Sequence, residues 1–146
     1  MGWLLVVVGW LANHWLSEIR DRRKEVRGQL DALLESLDEL RDDALQFHMG
    51  KEYDQPKADS VLMALRKIEG AALRAAIVEE TTVAVGVKKI RQAITLENFE
   101  VAVFATQNYS DQIITKIQLA VEDFSGAFEA AYSRKYPNRF PYYSRR

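Results

Sequence analysis

From Val26 the large apolar residues recur at Leu30, Leu33, Leu37, Leu40, Ala44 and Phe47, in steps of 4, 3, 4, 3, 4 and 3. A half-buried strand alternates at every second residue, so this spacing admits only a helix with one apolar stripe, sustained for about three heptads. Leu34 and Leu45 widen the stripe, which suits a bundle helix as much as a coiled coil. The opposite face is acidic, with Asp31, Glu35, Asp38, Glu39, Asp42 and Asp43 relieved only by Arg41. Upstream, Ile19 continues the pattern, Arg23 takes the seam position before Val26, and Gly28 is the one breaker. One long helix is expected from near Trp3 to about Met49. Its seam of Val26, Leu30, Leu33, Leu37, Leu40 and Phe47 is the candidate interaction surface, for self-association or for a protein partner.

The start of that helix reads MGWLLVVVGWLANHWL, and no charged residue occurs before Glu18. Each large apolar side chain left in water forgoes about 1.5–3 kcal/mol. A membrane anchor over 1–18 is therefore expected, carried by Trp3, Leu4, Leu5, Val6, Val7, Val8, Trp10, Leu11, Trp15 and Leu16. Trp3 and Trp15 sit near the two ends of the run, where indole rings favour the headgroup level. The run is short: sixteen residues make a helix of roughly 24 Å, against a hydrocarbon core of about 30 Å. A secretory signal peptide would carry its positive charge before the apolar run and a small-residue cleavage site after it. Here the charge follows the run. A buried core helix is the other reading of so short a segment.

Residues 20–27 hold five cations (Arg20, Arg22, Arg23, Lys24 and Arg27) against Asp21 and Glu25. Positive charge beside an apolar segment places that side in the cytoplasm, so residue 1 is expected outside and the domain over 19–135 inside. A solvated helix face laced with ion pairs accounts for the same charges equally well.

After the first helix, GKEYDQ (50–55) reads as a turn, with Asp54 or Gln55 capping a new helix and Pro56 in its first turn. Val61, Leu65, Ile68, Ala72 and Ala75 or Ala76 make its apolar face. The stretch TTVAVGV (81–87) is rich in β-branched residues, but an isolated strand has nothing to pair with. A helix capped by Thr81 or Thr82 and reaching Ala93 or Ile94 is expected instead. Residues 96–110 read as a connection holding one short helix around Glu100 to Ala105. Ser110 is the expected cap of a last helix with Ile113, Ile117, Val121, Phe124, Phe128 and Ala131 inward, ending near Lys135 before Pro137.

Residues 132–146 carry five cations, no acid and five aromatic rings. That composition fits a loosely ordered tail covering bundle surface, contact with a membrane interface, or stacking on single-stranded nucleic acid; composition alone ranks nucleic acid last. The basic aromatic tail is set at 136–146. No enzyme constellation is present. The two histidines, His14 and His48, belong to no H-E-x-x-H or E-x-x-H pair. No Gly-rich phosphate loop or G-x-S-x-G elbow occurs, and there is no Cys to act as nucleophile, thiolate ligand or disulfide. His48, at the end of the first helix, is expected as a charged group favourable to the helix dipole. No catalytic residue, metal or cofactor is expected.

The stretch GWLANHWL (9–16) followed by Arg20-Asp21-Arg22-Arg23-Lys24-Glu25 resembles a group of uncharacterised small bacterial single-pass membrane proteins with a short N-terminal anchor, an R-D-R-R-K-E juxtamembrane motif and a helical cytoplasmic part. Gln46-Phe47-His48 and Arg91-Gln92-Ala93-Ile94-Thr95-Leu96 resemble it more loosely. The resemblance implies a bacterial inner-membrane location and carries no site residues. The expected fold is all-α: an N-terminal membrane anchor helix continuing into a cytoplasmic three- to four-helix bundle. The expected role is a membrane-tethered interaction module, with membrane lipid and a second copy or a protein as partners and nucleic acid disfavoured. The alternative is a membrane-perturbing effector, of phage-defence or toxin type, whose anchor oligomerises on triggering.

Overall fold

Helix propensity, caps and breakers divide the chain into four helices: α1 (Gly2–His48), α2 (Gln55–Ala75), α3 (Glu80–Thr95) and α4 (Gln112–Lys135). The computed structural model describes residues 2–137, and for 2–9, 11–13 and 16 the helical backbone alone. Among the described residues there is no strand, so the all-α expectation holds and TTVAVGV is helical. α1 ends where the spacing predicts. Asp54 caps α2, its carboxylate accepting from the Lys57 amide at 3.0 Å, with Pro56 in the first turn. Two caps differ from expectation. α3 begins at Glu80 with Glu79 as cap, not Thr81 or Thr82, and no side chain bonds its first turn. Asp111, not Ser110, caps α4, and its carboxylate turns back to accept from the Asn108 amide at 2.6 Å.

α1 packs on α2 and α4, and α3 packs on α4 and α2. Neighbours in sequence run antiparallel. Lys57 at the start of α2 bonds Gln46 near the end of α1, and His48 meets Ile94 near the end of α3. Tyr132 near the end of α4 lies back beside Arg23. The result is an up-down-up-down bundle closed around Leu30, Leu37, Leu40, Leu65, Ile90, Ile117 and Phe128, all essentially inaccessible.

That core absorbs the α1 seam. Leu30, Leu33, Leu37, Leu40 and Phe47 are at most 2% exposed, and Val26 is half-buried at the edge of the core. The chain's own helices fill the stripe, so in this fold the seam offers no surface to a second molecule. A heptad pattern specifies an apolar partner surface but not which chain supplies it. The acidic face stays in solvent, where Arg41 pairs with Asp38 at 2.7 Å and with Asp42 at 3.0 Å.

Two helical glycines behave oppositely. A Cβ at Gly86 would overlap the buried Phe124 ring, whereas one at Gly28 would meet nothing within 4 Å. Gly86→Ala is therefore expected to destabilise by about 1–3 kcal/mol through overpacking. Gly28→Ala is expected to stabilise by up to about 1 kcal/mol through helix propensity. Urea unfolding of the two variants checks the opposite signs.

Candidate functional site

α1 is longer than the bundle it belongs to. Among the described side chains its first deeply buried one is Leu30, and those before Ser17 are exposed. Trp10 and Trp15 are 66% and 64% exposed, and Ile19 is 47% exposed. The other proposed anchor residues (Trp3, Leu4, Leu5, Val6, Val7, Val8, Leu11 and Leu16) have side chains outside the described residues. Trp10 stacks on His14 at 5.6 Å between centroids, with the planes 4° apart. The His14 Nε2 lies 3.6 Å from Glu18 Oε1. Both contacts follow from i,i+4 spacing on one helix face. Among the described residues no helix is long and apolar enough to cross a membrane. The expected transmembrane helix is unsupported to that extent. The physical reason is the short run, interrupted by Asn13 and His14 and closed by Glu18.

Where α1 enters the bundle, α4 arrives from the opposite direction. Arg23 donates through Nη2 to the Tyr136 carbonyl at 3.3 Å, and the Tyr132 hydroxyl reaches the Arg23 carbonyl at 3.5 Å. The last carbonyls of a helix lack intrahelical donors, and a guanidinium satisfies one and complements the dipole. Arg27 lies over the Tyr132 ring at 5.4 Å, bonds Asp31 at 2.7 Å and reaches Glu129 at 3.9 Å. The Asp31 hydrogen bond is the main influence raising its pKa further above the ordinary arginine value. The rings of Tyr132 and Tyr136 are 5.0 Å apart. The five-cation motif thus divides. Arg23 and Arg27 join α1 to α4, while Arg20, Arg22 and Lys24 face solvent. Tyr132 is 8% exposed and belongs to α4 and the core, not to a loose tail. The sequence signal for this junction is Arg23 itself, a cation at a seam position.

The other end of the bundle is closed by a polar clasp. His48 is fully buried, against expectation. Its Nε2 lies 3.0 Å from the Ile94 carbonyl and its Nδ1 lies 3.2 Å from the Asn98 amide nitrogen. An amide nitrogen only donates and a carbonyl only accepts, so the ring is the neutral tautomer with the proton on Nε2. Burial lowers its pKa, so the expected charged form is corrected to a neutral one. Asn98, in the left-handed region at φ 59°, also donates to the Ala105 carbonyl at 2.9 Å and accepts from the Ala105 amide. This clasp replaces the expected short helix around Glu100 to Ala105, leaving a single turn closed by Val103 N–H on Glu100 at 3.0 Å. The loop it shapes presents Leu96, Val101 and Val103, which are 73%, 69% and 60% exposed.

The described residues hold no group of three or more His, Asp or Glu side chains placed to bind a metal ion. Compared with known protein families, curated proteins and solved structures, the chain gives no match.

Proposed function

We infer that this chain is a membrane-tethered helical interaction module, with its bundle on the cytoplasmic face of a bacterial inner membrane. The observation that carries the reading is the unbroken α1 (Gly2–His48), whose start extends past the bundle with Trp10 and Trp15 exposed. Large apolar side chains left in solvent, as Trp10, Trp15 and Ile19 are among the described residues, support a membrane or protein contact, and tryptophan favours the lipid headgroup level. Because tether and core share one helix, no flexible linker separates them, and the bundle stands at a fixed height and orientation. The cations of residues 20–27 support an orientation with the bundle on the positive-inside side. With the seam spent internally, a protein partner or second copy meets an outer surface. The apolar loop of Leu96, Val101 and Val103, at the end away from the tether, is the surface we assign to it.

The test is fractionation of the full chain beside a Leu5→Arg/Leu11→Arg variant. Each arginine at the centre of an apolar helix costs about 2.5–3.5 kcal/mol of insertion free energy. The parent chain is expected in the membrane fraction, resistant to salt. The variant is expected in the soluble fraction with an unchanged bundle melting temperature. A parent chain found soluble would sink the reading. A second reading, the membrane-perturbing effector, draws on His14 and Glu18, polar groups in contact on the tether helix. Polar side chains promote helix association in lipid. Loss of membrane potential on expression, abolished when an unrelated span replaces residues 1–18, would favour it over a passive tether.

A further inference from the structure

We propose that the end of the bundle from which α1 emerges is a docking collar for anionic phospholipid headgroups, built jointly by α1 and the last turn of α4. The proposal rests on the membrane-tether reading and adds a second, electrostatic contact with the same bilayer. The carrying observation is that α4 returns to the level of Arg23, where the Tyr136 carbonyl accepts from its guanidinium at 3.3 Å. Arg134 and Lys135, exposed and immediately before Tyr136, are thereby brought to the same end as the basic turns of α1. Residues 18–27 and 132–137 together hold seven cations and three acids. Asp31 and Glu129 answer Arg27 locally, and counting them the balance is seven cations to five acids.

Height above the bilayer decides whether this charge is felt. Arg23 lies seven residues after Leu16, the last residue of the uncharged apolar run, which is about 10 Å along a helix. The physiological Debye length is about 8 Å, and lysine and arginine stems reach several ångströms further. An anionic surface at the end of the tether is therefore within range of both helices. Beside the cations a groove runs between the start of α3 and the end of α4. Ile77, Val78, Ala131, Arg134, Lys135 and Glu79 are among its lining residues. Glu79 is the opposing charge within it. Beyond Pro137 nine more residues follow, with Arg139, Arg145 and Arg146, no acid and three rings. Bringing cations of two helices together costs repulsion, which a lipid surface of opposite sign removes.

The composition of the chain allows a clean test. All three tryptophans (Trp3, Trp10 and Trp15) lie in the tether and there is no cysteine. Tryptophan quenching by brominated lipid thus reports the tether alone. A Ser133→Cys substitution at an exposed position of α4, labelled with an environment-sensitive dye, reports the collar alone. The full chain is placed in vesicles of phosphatidylcholine, with and without phosphatidylglycerol. Tryptophan quenching is expected in both. A blue shift of the dye is expected only with phosphatidylglycerol, and high salt should abolish it. Arg134→Gln/Lys135→Gln should lower the docked-to-undocked ratio about 30-fold, from about 1 kcal/mol per cation near an anionic surface, with the melting temperature and tryptophan quenching unchanged. Quenched tryptophans with a dye indifferent to phosphatidylglycerol would overturn the collar and leave the tether standing. Unquenched tryptophans would overturn both. A dye shift that survives the double substitution would remove α4 from the contact. A dye that answers a single-stranded oligonucleotide and not phosphatidylglycerol would reassign the collar to nucleic acid.

Discussion

Phe47→Ala is expected to destabilise the bundle by about 3–5 kcal/mol, the range for truncating a fully buried phenylalanine. The upper half of that range applies, because Phe47 is the hub of an aromatic cluster. It is 1% exposed, and its ring centroid lies 4.9 Å from Phe99, 5.1 Å from His48, 5.4 Å from Phe104 and 5.5 Å from Tyr53. Edge-to-face and tilted pairs of this kind are worth about 0.5–1.5 kcal/mol each beyond the area they bury. Phe99 and Phe104 come from the loop after α3 and Tyr53 from the turn before α2, so the truncation loosens both connections at once. For a chain of this size the loss corresponds to a fall in melting temperature of about 10–15 °C. Thermal melting followed by circular dichroism measures it. A Phe47 that formed an external seam would instead weaken association and leave the monomer's melting temperature unchanged. That outcome would contradict the packing described above.

Asn98→Ala is expected to cost about 3 kcal/mol, with the effect concentrated in the loop. The substitution removes the three hydrogen bonds of the Asn98 side chain and leaves the His48 Nδ1 and the Ala105 amide without that partner, while the Ala105 carbonyl keeps the Gln107 amide and the His48 Nε2 keeps the Ile94 carbonyl. A buried polar group left without a partner costs about 1–3 kcal/mol. Alanine also tolerates the left-handed backbone less well than asparagine, by about 1 kcal/mol. Amide exchange at Ala105 should accelerate far more than exchange in α1 or α4. Uniform acceleration throughout the bundle would show that the loop has no local stability of its own.

The clasp also fixes the sign of a pH effect. His48 has a lowered folded-state pKa because it is buried, while in the unfolded chain a histidine titrates near 6.5. Below that value the unfolded state binds more protons than the folded one. Stability is therefore complete above about pH 6.5 and declines as the pH falls toward the lowered folded value. Protonation would put a second N–H on Nδ1 facing the Asn98 amide, donor against donor. Nitrogen-15 spectra of the imidazole are expected to show the neutral tautomer, protonated on Nε2, persisting below pH 6.5 in the folded chain. An imidazolium signal at neutral pH would contradict the assignment.

Much of the architecture was legible in the residues alone. Apolar spacing marked the inward face of α1, Asp54 with Pro56 marked the start of α2, and Lys135 before Pro137 marked the end of α4. These signals act within one or two turns of helix, between residues whose separation the helix itself sets. The middle of the α4 apolar face (Ile117, Val121, Phe124 and Phe128) was legible for the same reason, but its ends shifted by one residue, with Ile114 and Tyr132 buried where Ile113 and Ala131, only partly buried, were expected. The cap of α4 was misplaced by one residue because Asp111 turns its carboxylate to Asn108, a choice among neighbouring polar groups that spacing does not rank.

Only the tertiary arrangement decided what fills the seam and what meets at each end. His48 and Asn98 are 50 positions apart, and Arg23 and Tyr136 are 113 apart. No local propensity couples residues at such separations. They meet because α4 runs antiparallel to α1 and ends level with Arg23, and because α3 ends level with His48. Helix lengths and packing order set those levels. A histidine written at a helix terminus thus became a neutral core group, and a tyrosine written in a basic tail became part of the junction. A seam fit for a second molecule became the inside of the first, since intramolecular helices reach it at far higher effective concentration than any separate partner.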